Sequence, residues 1–184
     1  MRQLYIDLVP WCNKQNIFNL LRIFILHPTF RAIVINRIAW SGRKRSVRYL
    51  LCKIYNIHLR NKYHIDIQLS VIMGNAPMFP HEGPIIINGG CRIGDNVTIF
   101  PNVLIGSVRG REGKGCGQTI GNNVVICSGA KILGEITIPN NVFIAPNAVV
   151  IKDQEANTTI AGVPSKVISL NGEKNCKFYS FNRF

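Results

Sequence analysis

The chain has 184 residues, with 22 Lys and Arg against nine Asp and Glu, for a net charge of +13. Such a length suits one medium domain with a small companion, and no uncharged stretch reaches the eighteen or so residues of a membrane-spanning helix, which argues against an integral membrane protein. The six cysteines (Cys12, Cys52, Cys91, Cys116, Cys127, Cys176) form no CxxC pair, which argues against a zinc site and a disulfide framework and predicts reduced thiols and no metal.

The N-terminus has Asp7, Pro10 and Trp11 where a secretory signal would need a clean apolar core, so a cytoplasmic address is expected. Residues 1–64 hold twelve Lys and Arg against Asp7 alone, a net +11, whereas residues 65–184 carry only +2. A basic head of this kind can meet nucleic acid, anionic lipid or an acidic polymer. It lacks the interleaved aromatics of a stacking platform, which argues against nucleic acid.

Within that head, "NIFNLLRIFILHPTFRAIVINRIAW" and "RSVRYLLCKIYNIHLR" space apolar residues by three and four, which predicts helices broken near His27-Pro28. Residues 1–64 therefore read as a small domain of three or four helices. His27 reads as a cap or packing group, and His58 and His64 as solvated residues of a linker.

From Ile87 onward aliphatic residues return every sixth position: Ile93, Ile99 and Ile105, then after a break Ile120, Ile126, Ile132, Ile138, Ile144 and Val150. Four residues after most of them stands a second small or β-branched side chain, such as Cys91, Val97, Val124 or Ala130. The period extends back through Ile67, Met73, Phe79 and Ile85, with a two-residue slip before Ile87. A six-residue unit cannot bury its own apolar face, so the units must stack into a solenoid, read here as a mainly β parallel helix of three hexapeptides per triangular turn over residues 65–168. Gly94-Asp95-Asn96, Gly121-Asn122-Asn123 and Pro139-Asn140-Asn141 suit its corners.

The interval from Ile105 to Ile120 is fifteen residues, and its surplus predicts a loop over 106–119 thrown out from one corner. Residues 169–184 read as a C-terminal tail. In "FPHEGPIII" the lone His81 is either a ring bonded to a turn or a catalytic base.

This combination resembles the hexapeptide-repeat acyltransferases, and among them the serine acetyltransferase branch. "HPTFRAIVINRIAW" is similar to that branch's helical signature, and "GAKILGEITI" and "AGVPSKVI" are similar to its last coils, so the likeness covers about residues 20–168. It implies a left-handed β-helix and direct transfer of acetyl from acetyl-CoA to a hydroxyl, with His81 as general base and Asp66 as the carboxylate that orients it. It also implies a homotrimer with coenzyme A in a groove between solenoids. The matching cofactor positions are Gly106, Ser107, Ser128, Gly129, Ala145, Pro146, Val163, Pro164 and Lys166.

The family pattern puts an aspartate before the histidine and an Arg-His pair in the loop, where this chain has Pro80, Cys116 and Gly117. "HEGPIIIN" in turn resembles members found in capsule and O-antigen pathways. A surface-polysaccharide hydroxyl is therefore the expected acceptor, with Glu82, Arg109, Arg111 and Lys114 as candidate substrate contacts and peripheral membrane or anionic-polymer contact open to the basic head. The alternatives are serine acetylation and a non-catalytic scaffold.

Overall fold

The structure is a computed structural model that describes residues 2–41, 46–106 and 117–179. The described helices of the basic head are α1 (Arg2–Leu8), followed by one 3-10 turn, α2 (Ile17–Leu26), α3 (Pro28–Trp40) and α4 (Val47–Tyr63). Asn16 and Ser46 accept from the backbone N–H three residues on and so start α2 and α4. At His27 the chain bends by 112° between α2 and α3, because the following Pro28 disfavours helical backbone there and then suits the first turn of α3.

Among the described residues fourteen short strands follow: β1 (Ile65–Ile67), β2 (Ile72–Met73), β3 (Ile85–Ile87), β4 (Arg92–Ile93), β5 (Thr98–Ile99), β6 (Val103–Gly106), β7 (Thr119–Ile120), β8 (Val125–Ile126), β9 (Lys131–Leu133), β10 (Thr137–Ile138), β11 (Phe143–Ile144), β12 (Val149–Val150), β13 (Thr159–Ala161) and β14 (Lys166–Ser169). They form three sheets, the walls of a triangular prism: β1-β3-β6-β9-β12, β2-β4-β7-β10, and β5-β8-β11-β13-β14. All pairings are parallel except β13 with β14, where the chain turns back. Ile87 pairs with Ile105 and Lys131 with Val149, eighteen residues on in each case, so three hexapeptides complete one coil.

The sixth-position residues point inward. Ile87, Ile105, Ile132, Ile144 and Val150 are fully buried and join Phe30, Ile33 and Leu59 of the helices in one continuous apolar cluster. At one corner Asn96, Asn123, Asn141 and Asn157 all adopt positive φ, and each amide donates to the next asparagine's carbonyl, at 3.3, 3.2 and 2.7 Å. Asparagine is favoured there because it tolerates left-handed backbone and its side chain spans one coil spacing.

The first coil has open carbonyls along its edge, and α3 covers them. Thr29, Asn36 and Trp40 donate to the carbonyls of Phe79, Val71 and Val71, at 3.1, 3.0 and 2.8 Å. Arg37 donates to the carbonyls of Met73 and Gly74 and forms a bidentate pair with the buried Asp7, both contacts at 2.9 Å. Asp7 also accepts from the Ala76 N–H, so one carboxylate ties α1, α3 and the first coil together. The segment read as a tail contains α5 (Gly172–Tyr179), whose Cys176 is buried against Val125 and Phe143.

Candidate active site

Within the first coil the spacing is not eighteen. Ile65 pairs with Ile85, Met73 with Ile93 and Met78 with Thr98, each twenty residues on. Phe79 to Ile87 takes eight residues where Ile99 to Ile105 takes six, so the extra pair lies in Pro80–Pro84. The slip in the repeat is therefore a bulged corner, and His81 and Glu82 are exposed on it. Asp66 and His81, fifteen residues apart, could meet at a coil edge if one corner were short, and this corner is long.

This corner is fastened on both sides. Thr29 holds the Phe79 carbonyl, the Asn102 N–H donates to Pro84 at 2.6 Å, and the Ile85 N–H donates to His64 at 3.0 Å. Gly83 has φ +143°, and a side chain there would press on Pro101. The His81 ring lies 6.3 Å from that of Phe100, one coil below, tilted by 41°.

Asp66 lies on β1 with its side chain directed outward, opposite Ile86 of the strand into which the His81 corner leads. Asp66 is thus the middle residue of the strand next to β3, His81 lies in the corner four residues before β3, and among the described residues no hydrogen bond or ion pair joins them. Burial lowers the His27 pKa, and the Glu82 carboxylate opposes that shift. The His27 ring packs against Trp11 at 5.1 Å, tilted by 55°, as suits a packing group. His58 and His64 are both exposed, but His58 lies within α4 beside Tyr55 rather than in a linker, while His64 caps that helix with φ 58° and joins it to β1.

Below His81 the same edge continues. Ser128 Oγ and the Gly129 N–H both donate to the Pro101 carbonyl, and the Asn147 N–H donates to Ser128. Ala145 and Pro146 form the next corner, and the turn through Val163 and Pro164 follows, where Val149 donates to Gly162 and accepts from Ser165. Lys166, at the start of β14, is exposed. Gly106 lies at the opposite edge of this sheet, at the root of the loop. Ser107, Arg109, Arg111, Lys114 and Cys116 lie outside the described residues.

Sequence reasoning missed Gln118. It occupies the repeat position held elsewhere by Cys91 or Ile136, yet it is buried, and its amide donates to the carbonyls of Gly106 and Gly134. The two carbonyls satisfy the buried amide, and that of Gly106 also accepts from the Gly134 N–H at 3.1 Å. A polar residue in an apolar column was the available signal. A separate open depression, lined by Gly90, Arg92, Gly117, Thr119, Glu135, Ile136 and Thr137, belongs to another corner of the prism.

Burial pushes the Cys91 and Cys127 thiols up to about 12 and Cys176 to about 11, so these are packing groups rather than nucleophiles. Among the described residues no three His, Cys, Asp or Glu side chains converge to hold a metal.

A triangular β-helix with a helical N-terminal region defines the left-handed hexapeptide-repeat acyltransferase fold. Over 154 residues the chain is 32% identical to a serine acetyltransferase of Bacillus pumilus, covering 84% of this chain and 70% of that protein. It is 35% identical to one from Staphylococcus xylosus, covering 69% of this chain and 58% of that protein. The serine acetyltransferase of Brucella abortus, solved in complex with coenzyme A, superposes with a TM-score of 0.77 at 25% identity, over 91% of this chain and 67% of that one. No family model matches the chain. The chain belongs to the serine acetyltransferase family.

Proposed function

We propose that the chain transfers acetyl from acetyl-CoA to a hydroxyl, with His81 as general base and Asp66 as its orienting carboxylate. The observation that carries this reading is the bulged corner, which sets an exposed imidazole at the head of the edge formed by Ser128, Gly129, Ala145, Pro146, Val163 and Pro164. Small residues with free surface along such an edge let an extended pantetheine arm approach the backbone closely. Lys166 at its end meets the nucleotide phosphates as a point charge.

The chemistry needs one proton acceptor. A free imidazole nitrogen takes the hydroxyl proton as the oxygen attacks the thioester carbonyl, a C–O bond forms, and a backbone N–H holds the oxyanion. The C–S bond then breaks and the sulfur recovers the proton from His81. Asp66 fixes the tautomer and offsets the charge of the imidazolium. The His81 corner and Gly106 flank opposite edges of one sheet, so a groove between two copies of a trimer draws on both.

L-Serine is the acceptor that the relatives support, since those matched are serine acetyltransferases. A sugar hydroxyl is the second reading, favoured by Pro80, Cys116 and Gly117, which remove the charged groups that would grip a free amino acid. Purified protein is incubated with acetyl-CoA and either L-serine or candidate glycans, following CoA release and locating the new acetyl by NMR. Release with serine alone establishes the first reading and release with a glycan alone the second. No release with either leaves a non-catalytic scaffold.

A further inference from the structure

Helix α4 presents the wrong face to solvent for a free-standing helix. Val47, Leu50, Leu51, Ile54 and Ile57 recur at three- and four-residue spacing, the pattern of a core-facing stripe, and all are exposed, Val47 by 74%. The core instead receives Cys52 and Leu59 from the opposite side. At 100° per residue Lys53 and Arg60 border one margin of the stripe and Lys62 the other, and each of the three is exposed.

Helix α2, packed on α3 as α4 is, repeats the arrangement: Ile17, Phe18, Leu21, Ile25 and Leu26 are exposed beside Arg22. From Leu8 to Ile65 the chain has eleven Lys and Arg and no acid. Arg37 is taken up by Asp7 and Arg31 by the Tyr63 ring, whereas Arg22, Lys53 and Arg60 are exposed among the apolar residues.

We propose that α4, assisted by α2, seats the protein on an anionic phospholipid surface. An apolar stripe with long cationic side chains along both margins lets the aliphatic residues enter the acyl boundary while the charges reach the headgroups. A soluble polyanion would use the cations and leave the stripe wet. A second copy laid on the same face would bring Lys53, Arg60 and Lys62 against their own kind, with no carboxylate to answer them. The structure contains no single described helix long and apolar enough to cross a bilayer, and α3 is packed against the first coil, so the contact is interfacial.

The test is co-sedimentation of the full chain with vesicles of phosphatidylcholine alone and of phosphatidylcholine with 30% phosphatidylglycerol, beside light scattering without lipid. Binding is expected to the anionic vesicles and to weaken with salt. Lys53→Ala with Arg60→Ala should lower the partition coefficient on the order of tenfold or more. Leu51→Asp with Ile54→Asp should abolish binding while the circular dichroism and melting temperature stay at wild-type values. The proposal is overturned if wild type binds neither vesicle, if it binds both equally, or if the Asp pair changes the mass in solution and leaves vesicle binding intact. That last result would assign the stripe to a second copy.

Discussion

Asn123 has φ 55° and links Asn96 to Asn141 through its side chain, so both its backbone and its amide are committed. Asn123→Ala replaces a residue that tolerates left-handed backbone with one that does not and breaks two hydrogen bonds, which together cost about 2 kcal/mol. Asn123→Gly loses only the bonds and should cost less, an order that urea titration of the two variants checks. Three thiols provide a pH test. Cys91, Cys127 and Cys176 have folded pKa values raised by burial to about 12, 12 and 11 from 9.0, so the charged form is disfavoured in the fold. Their contribution to stability is full below pH 9 and is lost as pH rises from there toward 12. Melting temperature should fall across that window, and all three thiols should resist iodoacetamide at pH 8 until the protein is unfolded, as peptide mass spectrometry would show.

The hexad period made the strands legible, because an aliphatic residue at every sixth position has one stable solution, the interior of a stacked prism. The same period contained the candidate site in disguise. The two-residue slip before Ile87 reads in sequence as imperfect register, and only strand pairing shows that the surplus falls in Pro80–Pro84 and carries His81 outward. Gln118 was equally visible as a polar residue in an apolar column, but its meaning depends on the carbonyls of Gly106 and Gly134, which no local pattern names. Helix α3 was foreseen as a helix, but its role in covering the open carbonyls of the first coil was not. That role depends on contacts 31 to 50 residues apart in sequence.

At the scale of the molecule, the helices and the prism share one apolar cluster and are joined by the Asp7–Arg37 pair. Asp7 is completely buried, so removing one partner leaves an uncompensated charge. Asp7→Ala should lower stability by about 3–5 kcal/mol, measured by chemical denaturation, with hydrogen exchange rising first in α1 and α3. The basic head was legible from charge counting alone, whereas the exposed stripe of α4 required knowing which side of that helix meets the core. The central claim is that the bulged corner delivers a general base, and the turnover number of His81→Ala with acetyl-CoA and the accepted hydroxyl tests it most directly. A correctly folded His81→Ala protein is predicted to lose about 10²- to 10⁴-fold in turnover, and turnover at the wild-type rate would contradict the account.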